Sequence, residues 1–497
     1  MWKRWKVYSI LFCACLAGAC GNEEFQHVDI YFTADTLGGY ASRLEPHVNN
    51  REVGGYAILK NFLQSLEGPY LLFDGGNWFG AAAEAPLTKG SFVTPFLKEI
   101  PYTAAVLSPN DFSYGWPTLR GLVRELPYPF VAANLRLENS IPWPLHDYQI
   151  RTVGNIKIGI FGLANLPQVH GKDVRLPGMR AEDPVQIAQK MSALLHEKQV
   201  DYVILLSSLG LQQEKENNDT VLAQEVEGIN LILQSNQDRE QFETEKINQT
   251  FLVYPGSHLD SIAHIRISFD KNKRVLNTSF NDIILAKDTY GENSALSVRA
   301  SSLRRETANK MKQKVTSTVE EIPNYLDKES PLGILLAQCL HKWAKLDGAI
   351  LNAASIRQSL PKGDIMEYDV YKMYPYGDNI TLLTLKGSVL LKALQMSVNT
   401  EDNFPQVAGM DVKYTQLDSG KLVQRIILGN GRIVRPNDTY RIAVTDHILA
   451  GGFGHDEFIN ALEFKNTFVD ARQIMRACLL RQKQIAAPTY HHFQESK

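Results

Sequence analysis

Cysteine is scarce: five in 497 residues, three of them before residue 21, with no Cys-x-x-Cys pair, which removes the usual spacing of a thiolate zinc site. A charge excess of one sign is missing too. Lys and Arg together number 52 against 54 Asp and Glu, a formal net charge of -2, so nothing points to nucleic acid as a partner. The apolar run at residues 7–19 is too short to span a bilayer comfortably. What remains is a globular composition, 44% hydrophobic and 21% charged, in a chain too long for one ordinary core. At about 100–200 residues per domain, two domains are expected.

The amino terminus stands apart from the fold. Lys3, Arg4 and Lys6 precede the apolar run, and Cys20 follows Gly18 and Ala19. This resembles a bacterial lipoprotein signal at residues 1–20, with Cys20 as the lipidated first mature residue, although Leu16 lies one position early for the usual pattern. An ordinary cleaved secretion signal is the alternative. Both imply export, to a cell envelope or periplasm, and the first adds a lipid anchor in the membrane. Cys339 and Cys478 remain in the mature chain; they can bridge in an exported protein, but their apolar helical surroundings also suit free core cysteines.

From residue 28 to about residue 287, short β-branched and leucine-rich runs alternate with amphipathic segments at 54–66, 117–126 and 184–198, the pattern of α/β layers. Continuous apolar runs at 157–164 and 228–235 fit strands buried on both faces. Residues 294–322 are rich in Lys, Arg and Glu and predict a charged helix bridging two domains. The expected division is 21–287, a linker helix at 288–324, and a second domain at 325–490.

Four hydrophobic runs end in small or polar residues: VDIYFTADTLGG (28–39), PYLLFDGGNWFG (69–80), AAVLSPNDFSYG (104–115) and VDYVILLSSLG (200–210). Each reads as a strand delivering its loop to a shared rim. In order and spacing they resemble the 5'-nucleotidase family of two-metal phosphoesterases, whose loops run TNDxHG, DAGD, GNHExDYG, LSH and GGHSH. The segments at 329–365, 369–394, 404–414 and 440–454 resemble that family's second domain. The resemblance implies a four-layer α/β/β/α metallophosphoesterase-like sandwich followed by an α+β 5'-nucleotidase C-terminal domain.

Two divalent ions about 3.5–4 Å apart need anionic or imidazole ligands, one carboxylate being shared between them. Against the family pattern Asp35 and Asp74 are kept, but the first histidine is Leu37 and the bridging aspartate is Asn77. The asparagine ligand and transition-state histidine of the third loop become Pro109 and Asn110. The later histidines become Ser208, Asn236 and Asp238. The expected rim is therefore a relict one, with no catalytic residue and no cofactor, or at most one weakly bound divalent cation.

In the second domain the family's nucleotide grip falls on Lys328, Asn352, Arg357, Ile380, His447 and Phe453. Cationic and amide anchors persist while the aromatic clamp is largely lost. Lys328, Asn352, Arg357 and His447 are the expected contacts for a small anionic ligand. Three functions compete: an exported non-catalytic binding or scaffold protein with a protein partner unspecified by sequence, a divergent hydrolase of nucleotides or other phosphate or sulfur esters re-ligating a metal through Asp35, Asp74, Asp111 and Asp238, and a receptor for small anions.

Overall fold

The strand Gln26–Thr33 lies at the middle of the first half, antiparallel to Ser261–Phe269 on one side and parallel to Tyr70–Asp74 on the other. The computed structural model describes residues 26–80, 82, 84–137, 144–166, 179–210, 218–235, 241–449 and 456–496. Cys20, Asn236, Asp238 and Phe453 lie outside the described residues. Gln26–Thr33 belongs to a seven-stranded sheet that continues through the short strands Ala104–Ala105, Phe130–Val131 and Leu145–His146. A six-stranded sheet is built around Ile156–Leu163, Tyr202–Ser207 and Leu231–Gln234, all parallel.

The side-chain period of two assigns the layers. On Tyr202–Ser207, Tyr202, Ile204 and Leu206 join the large core that also holds Ile30, Phe32 and Leu72 of the first sheet. Val203 and Leu205 face the opposite way, into a core shared with Ile187, Met191 and Leu195 of the helix Pro184–Glu197 and Leu222 of Asp219–Glu225. Both faces are buried, which is why these runs read as continuously apolar. The helices Tyr56–Gln64 and Ser294–Met311 pack on each other beside the first sheet, closing an α/β/β/α sandwich.

The bridging helix is shorter than the charge pattern predicts. It runs Ser294–Met311 with only Leu296 and Ala300 buried, and Arg304 Nη2 donates to the Ser42 carbonyl at 2.7 Å. The chain then enters the strand Lys314–Thr318, which pairs with Gly363–Met366 of the second half. Val315, Thr316 and Thr318 are the β-branched signal that the surrounding charges hid.

The second half is α+β. A five-stranded sheet runs Pro405–Ala408, Gly348–Asn352, Thr439–Thr445, Asn379–Lys386, Glu463–Asp470, and the helices Pro331–Ala344 and Ala471–Leu480 pack against each other beside it. The last strand, Phe493–Glu495, pairs with Met410–Leu417, so this unit extends beyond residue 490, where the sequence placed its end. Buried Glu329 accepts the backbone N–H of His492 at 2.9 Å and holds that strand in place.

Cys339 and Cys478 form a disulfide between the two helices, with Cα atoms 5.6 Å apart and 139 residues between them in sequence. Apolar neighbours left this pairing open, because local sequence carries no signal of a partner so distant. A native cross-link restricts the unfolded chain by about 2–4 kcal/mol. Reduction, or the Cys339→Ser/Cys478→Ser pair, is expected to lower the stability of the second half by that amount in denaturant titrations. Superimposable curves with and without reductant would contradict the bridge.

Candidate functional site

Parallel strands deliver their loops to one edge, and here two sheets do so at the same end. Thr33, Asp74 and Ala105 terminate adjacent strands of the first sheet; Leu163, Ser207 and Gln234 terminate adjacent strands of the second. Across the gap, Ser208 Oγ donates to the Leu107 carbonyl at 2.8 Å, and Ser108 Oγ lies 3.1 Å from Ser235 Oγ. With Asn77 donating to Asp35, the described starts of five loops far apart in sequence, the fifth at Ser235, meet at one rim.

The rim keeps an uncommon backbone. Asp35, Leu37 and Asn77 have φ of 46°, 48° and 64°, in the left-handed region that asparagine and aspartate tolerate and leucine rarely enters. Gly76 at φ 84° is obligatory, since a Cβ there would sit 2.6 Å from the Val106 carbonyl oxygen.

Three buried carboxyl groups at or below the rim each have a structural task. Asp111 accepts four backbone N–H groups: Ser108 at 2.9 Å, Asn77 at 2.9 Å, Trp78 at 2.7 Å and Phe79 at 3.1 Å. Both its oxygens are thereby committed, one to each pair. Asp74 accepts from Thr33 Oγ1 and from the Gly76 N–H, each at 2.6 Å, and burial pushes its carboxyl well above the ordinary range. Asp219, which sequence alone did not single out, accepts from Ser207 Oγ and from Gln234 Nε2, tying the ends of two neighbouring strands.

Burial pushes Asp111 up to about 6 and Asp219 up to about 7. Both lie above the unfolded value of about 3.9, so the folded chain holds protons that the unfolded chain releases. The stability these groups contribute is full below about pH 4 and is lost as pH rises through about 6 and 7. Denaturation midpoints are expected to fall from about pH 5 to about pH 8, and to fall less in Asp219→Asn. An unchanged pH slope in that variant would remove Asp219 from this role.

At the bridging position Asn77 does something no bridging carboxylate does: its Nδ2 donates a hydrogen bond to Asp35 Oδ1. Its Oδ1 accepts the Asn110 N–H at 3.2 Å. Both residues are 3% exposed. One neutral amide thus links the first, second and third loops. Asn110 itself is exposed, and Pro109 opens a short 3-10 turn, Pro109–Phe112. Ser208 is fully buried, its hydroxyl also accepting the Asn165 N–H at 2.9 Å. His258 reaches the rim unannounced by any motif: its N–H donates to the Asp35 carbonyl at 2.9 Å.

These residues do not fit a two-metal centre. An amide N–H faces the retained carboxylate, Asp111 is saturated by backbone donors, and Asp74 serves a hydroxyl and an N–H. Among the described residues no group of three or more His, Cys, Asp or Glu is placed to hold a metal ion. Re-ligation through Asp74 and Asp111 would break the contacts that shape the second loop.

The second-half candidates separate. Asn352 is fully buried, its Oδ1 accepting from Ser355 Oγ at 2.7 Å and its Nδ2 donating to Asn403 at 3.3 Å, so its amide serves the fold. Ile380 is likewise a core residue. Lys328 and Arg357 are exposed, with Lys328 Nζ 4.6 Å from the centre of the Tyr325 ring. His447 follows Asp446, and Asn379 Nδ2 connects Asp446 at 3.4 Å to the Ser113 carbonyl of the third loop at 3.0 Å. Beside that contact Gly115, at φ 75°, is packed under the Phe468 ring, which a Cβ would meet at 2.4 Å.

Known proteins share this fold. The family model described as 5'-nucleotidase, C-terminal domain, matches residues 312–462. The trifunctional nucleotide phosphoesterase of Bacillus subtilis is 25% identical over 423 residues, covering 80% of this chain, which spans only 27% of that longer protein. A 5'-nucleotidase of Vibrio cholerae is 22% identical over 462 residues, 83% of each chain. The crystal structure of a Thermus thermophilus 5'-nucleotidase precursor superposes with a TM-score of 0.60 at 20% identity, over 95% of this chain and 99% of the other. Residues 312–462 match the 5'-nucleotidase C-terminal domain, and both halves of the chain, in one order, are similar to proteins of the 5'-nucleotidase family.

Proposed function

We propose that this protein is a non-catalytic member of the family, exported and lipid-anchored through Cys20, whose two-domain body binds or scaffolds at a cell envelope. The observation that carries this is the hydrogen bond from Asn77 to Asp35. Where the family pattern requires an anion shared by two cations, an amide proton occupies the space between the loops. The rim is held by donors and acceptors of its own, so its shape does not depend on metal.

Export has separate support in the Cys339–Cys478 disulfide, a bond that persists in oxidising compartments. Exposed Lys328 and Arg357 leave positive charge on the second half for a small anion. Metal analysis of the purified mature protein, together with phosphate release from nucleotides, tests the absence of catalysis. Mass spectrometry of the amino-terminal peptide tests the lipid on Cys20, and an unacylated peptide would replace the anchor with simple secretion.

A further inference from the structure

Between the two halves lies a cavity of about 290 Å³ that neither the rim nor the second-half nucleotide positions include. Its walls come from the end of the bridging helix, from the helices Glu367–Met373 and Ala471–Leu480, and from Leu87 of the first half. The apolar side is formed by Leu87, Met311, Val370 and Tyr371. Leu87 is 41% exposed, a large apolar residue left uncovered at this junction.

The polar side is cationic. Arg472 lines the cavity although only 6% of it is exposed. Its Nη1 donates to the Tyr374 carbonyl at 3.0 Å and its guanidinium carbon stands 4.9 Å from the centre of the Tyr371 ring. Among the described residues its Nη2 has no hydrogen-bond partner. Asp470 Oδ2 is 3.6 Å away, near enough to offset charge and too far for a hydrogen bond, and that oxygen is unpartnered as well. One turn along the helix, Arg476 donates through Nε to Glu367 Oε1 at 2.5 Å, and both residues also line the cavity.

A guanidinium donor kept from water without an acceptor is costly, and the cost is removed when an acceptor arrives. The geometry points to a binding site for a small organic carboxylate, its planar head on Arg472 and its apolar body between Leu87, Met311 and Tyr371. A carboxylate matches the flat guanidinium edge. A phosphate dianion suits the site less, because Asp470 and Glu367 stand close behind the two arginines and repel a second negative charge. The assignment does not rest on the state of the rim, since the cavity and its residues stand apart from the five loops.

Calorimetry of the full mature chain with benzoate as probe tests it. Binding in the millimolar range is expected. Leu87→Glu changes an exposed residue and should not disturb folding; it is expected to weaken benzoate by about tenfold or more, as is Arg472→Lys. Benzoate binding of wild-type strength in Leu87→Glu would overturn the site. So would the absence of benzoate binding to the wild type. Inorganic phosphate binding more tightly than benzoate, with the same dependence on Leu87 and Arg472, would overturn the carboxylate assignment.

Discussion

AMP, a UDP-sugar and bis-phenyl phosphate, incubated with the mature protein in Mn²⁺, Zn²⁺ or Co²⁺, are expected to be hydrolysed no faster than in the enzyme-free control. Phosphate monoesters are among the slowest substrates to react in water, so that an enzyme must supply up to about 10²¹-fold acceleration. In a two-metal site most of that comes from the clamp on attacking and leaving oxygens and from hydroxide generated near neutral pH. On the proposed reading neither is open to a rim whose shared position donates a hydrogen bond to Asp35. A single lost donor to the developing charge costs about 10²–10³ in rate, and here Asn110 stands where the family has its histidine while Leu37 and Ser208 stand for two more. The same preparation is expected to carry transition metal far below one ion per chain. Stoichiometric metal with turnover that Asp35→Ala abolishes would return the protein to the enzymes.

Much of this architecture was legible because it rests on short-range rules. Tyr202–Ser207 and Ile156–Leu163 are buried on both faces, and runs that are apolar apart from Ser207 and Lys157 state that directly. The loops were legible as a set, since Asp35, Asn77, Asn110 and Ser208 each come shortly after a strand, these ending at Thr33, Asp74, Ala105 and Ser207. Long-range partners were not. Nothing near Cys339 indicates Cys478, and nothing near Asn352 indicates that distant Asn403 meets its amide. Asp74 and Asp111 looked like spare ligands because sequence gives the type of a side chain without its neighbours. Once the backbone is placed, Asp111 proves to be an acceptor for four N–H groups and so an organiser of the loop that carries Asn77.

Asn77→Asp is expected to destabilise the metal-free protein by about 3–5 kcal/mol at pH 7, the range for an uncompensated buried charge. The substitution nearly preserves shape, removes the amide proton, and sets a second carboxylate against Asp35 where both are 3% exposed. Two such groups cannot both ionise at ordinary cost, so one of them binds a proton more tightly when folded than when unfolded. The sign follows from that difference: the penalty is absent below about pH 4, grows as pH rises through the raised folded value, and stays constant above it. Asn77→Ala separates the added charge from the lost hydrogen bonds, because it takes one partner each from the Asn110 N–H and Asp35 Oδ1 and adds no carboxylate, a loss of about 1–3 kcal/mol. In Asn77→Asp a divalent cation is expected to recover part of the loss, since it can sit between the two carboxylates as the amide proton does in the natural chain. Denaturant titrations at several pH values, in chelator and in Mn²⁺, read all of this. Equal stability of Asn77→Asp and the natural protein at pH 7 in chelator would mean that the hydrogen bond between Asn77 and Asp35 does not hold the rim, and the metal-free reading would lose its physical basis.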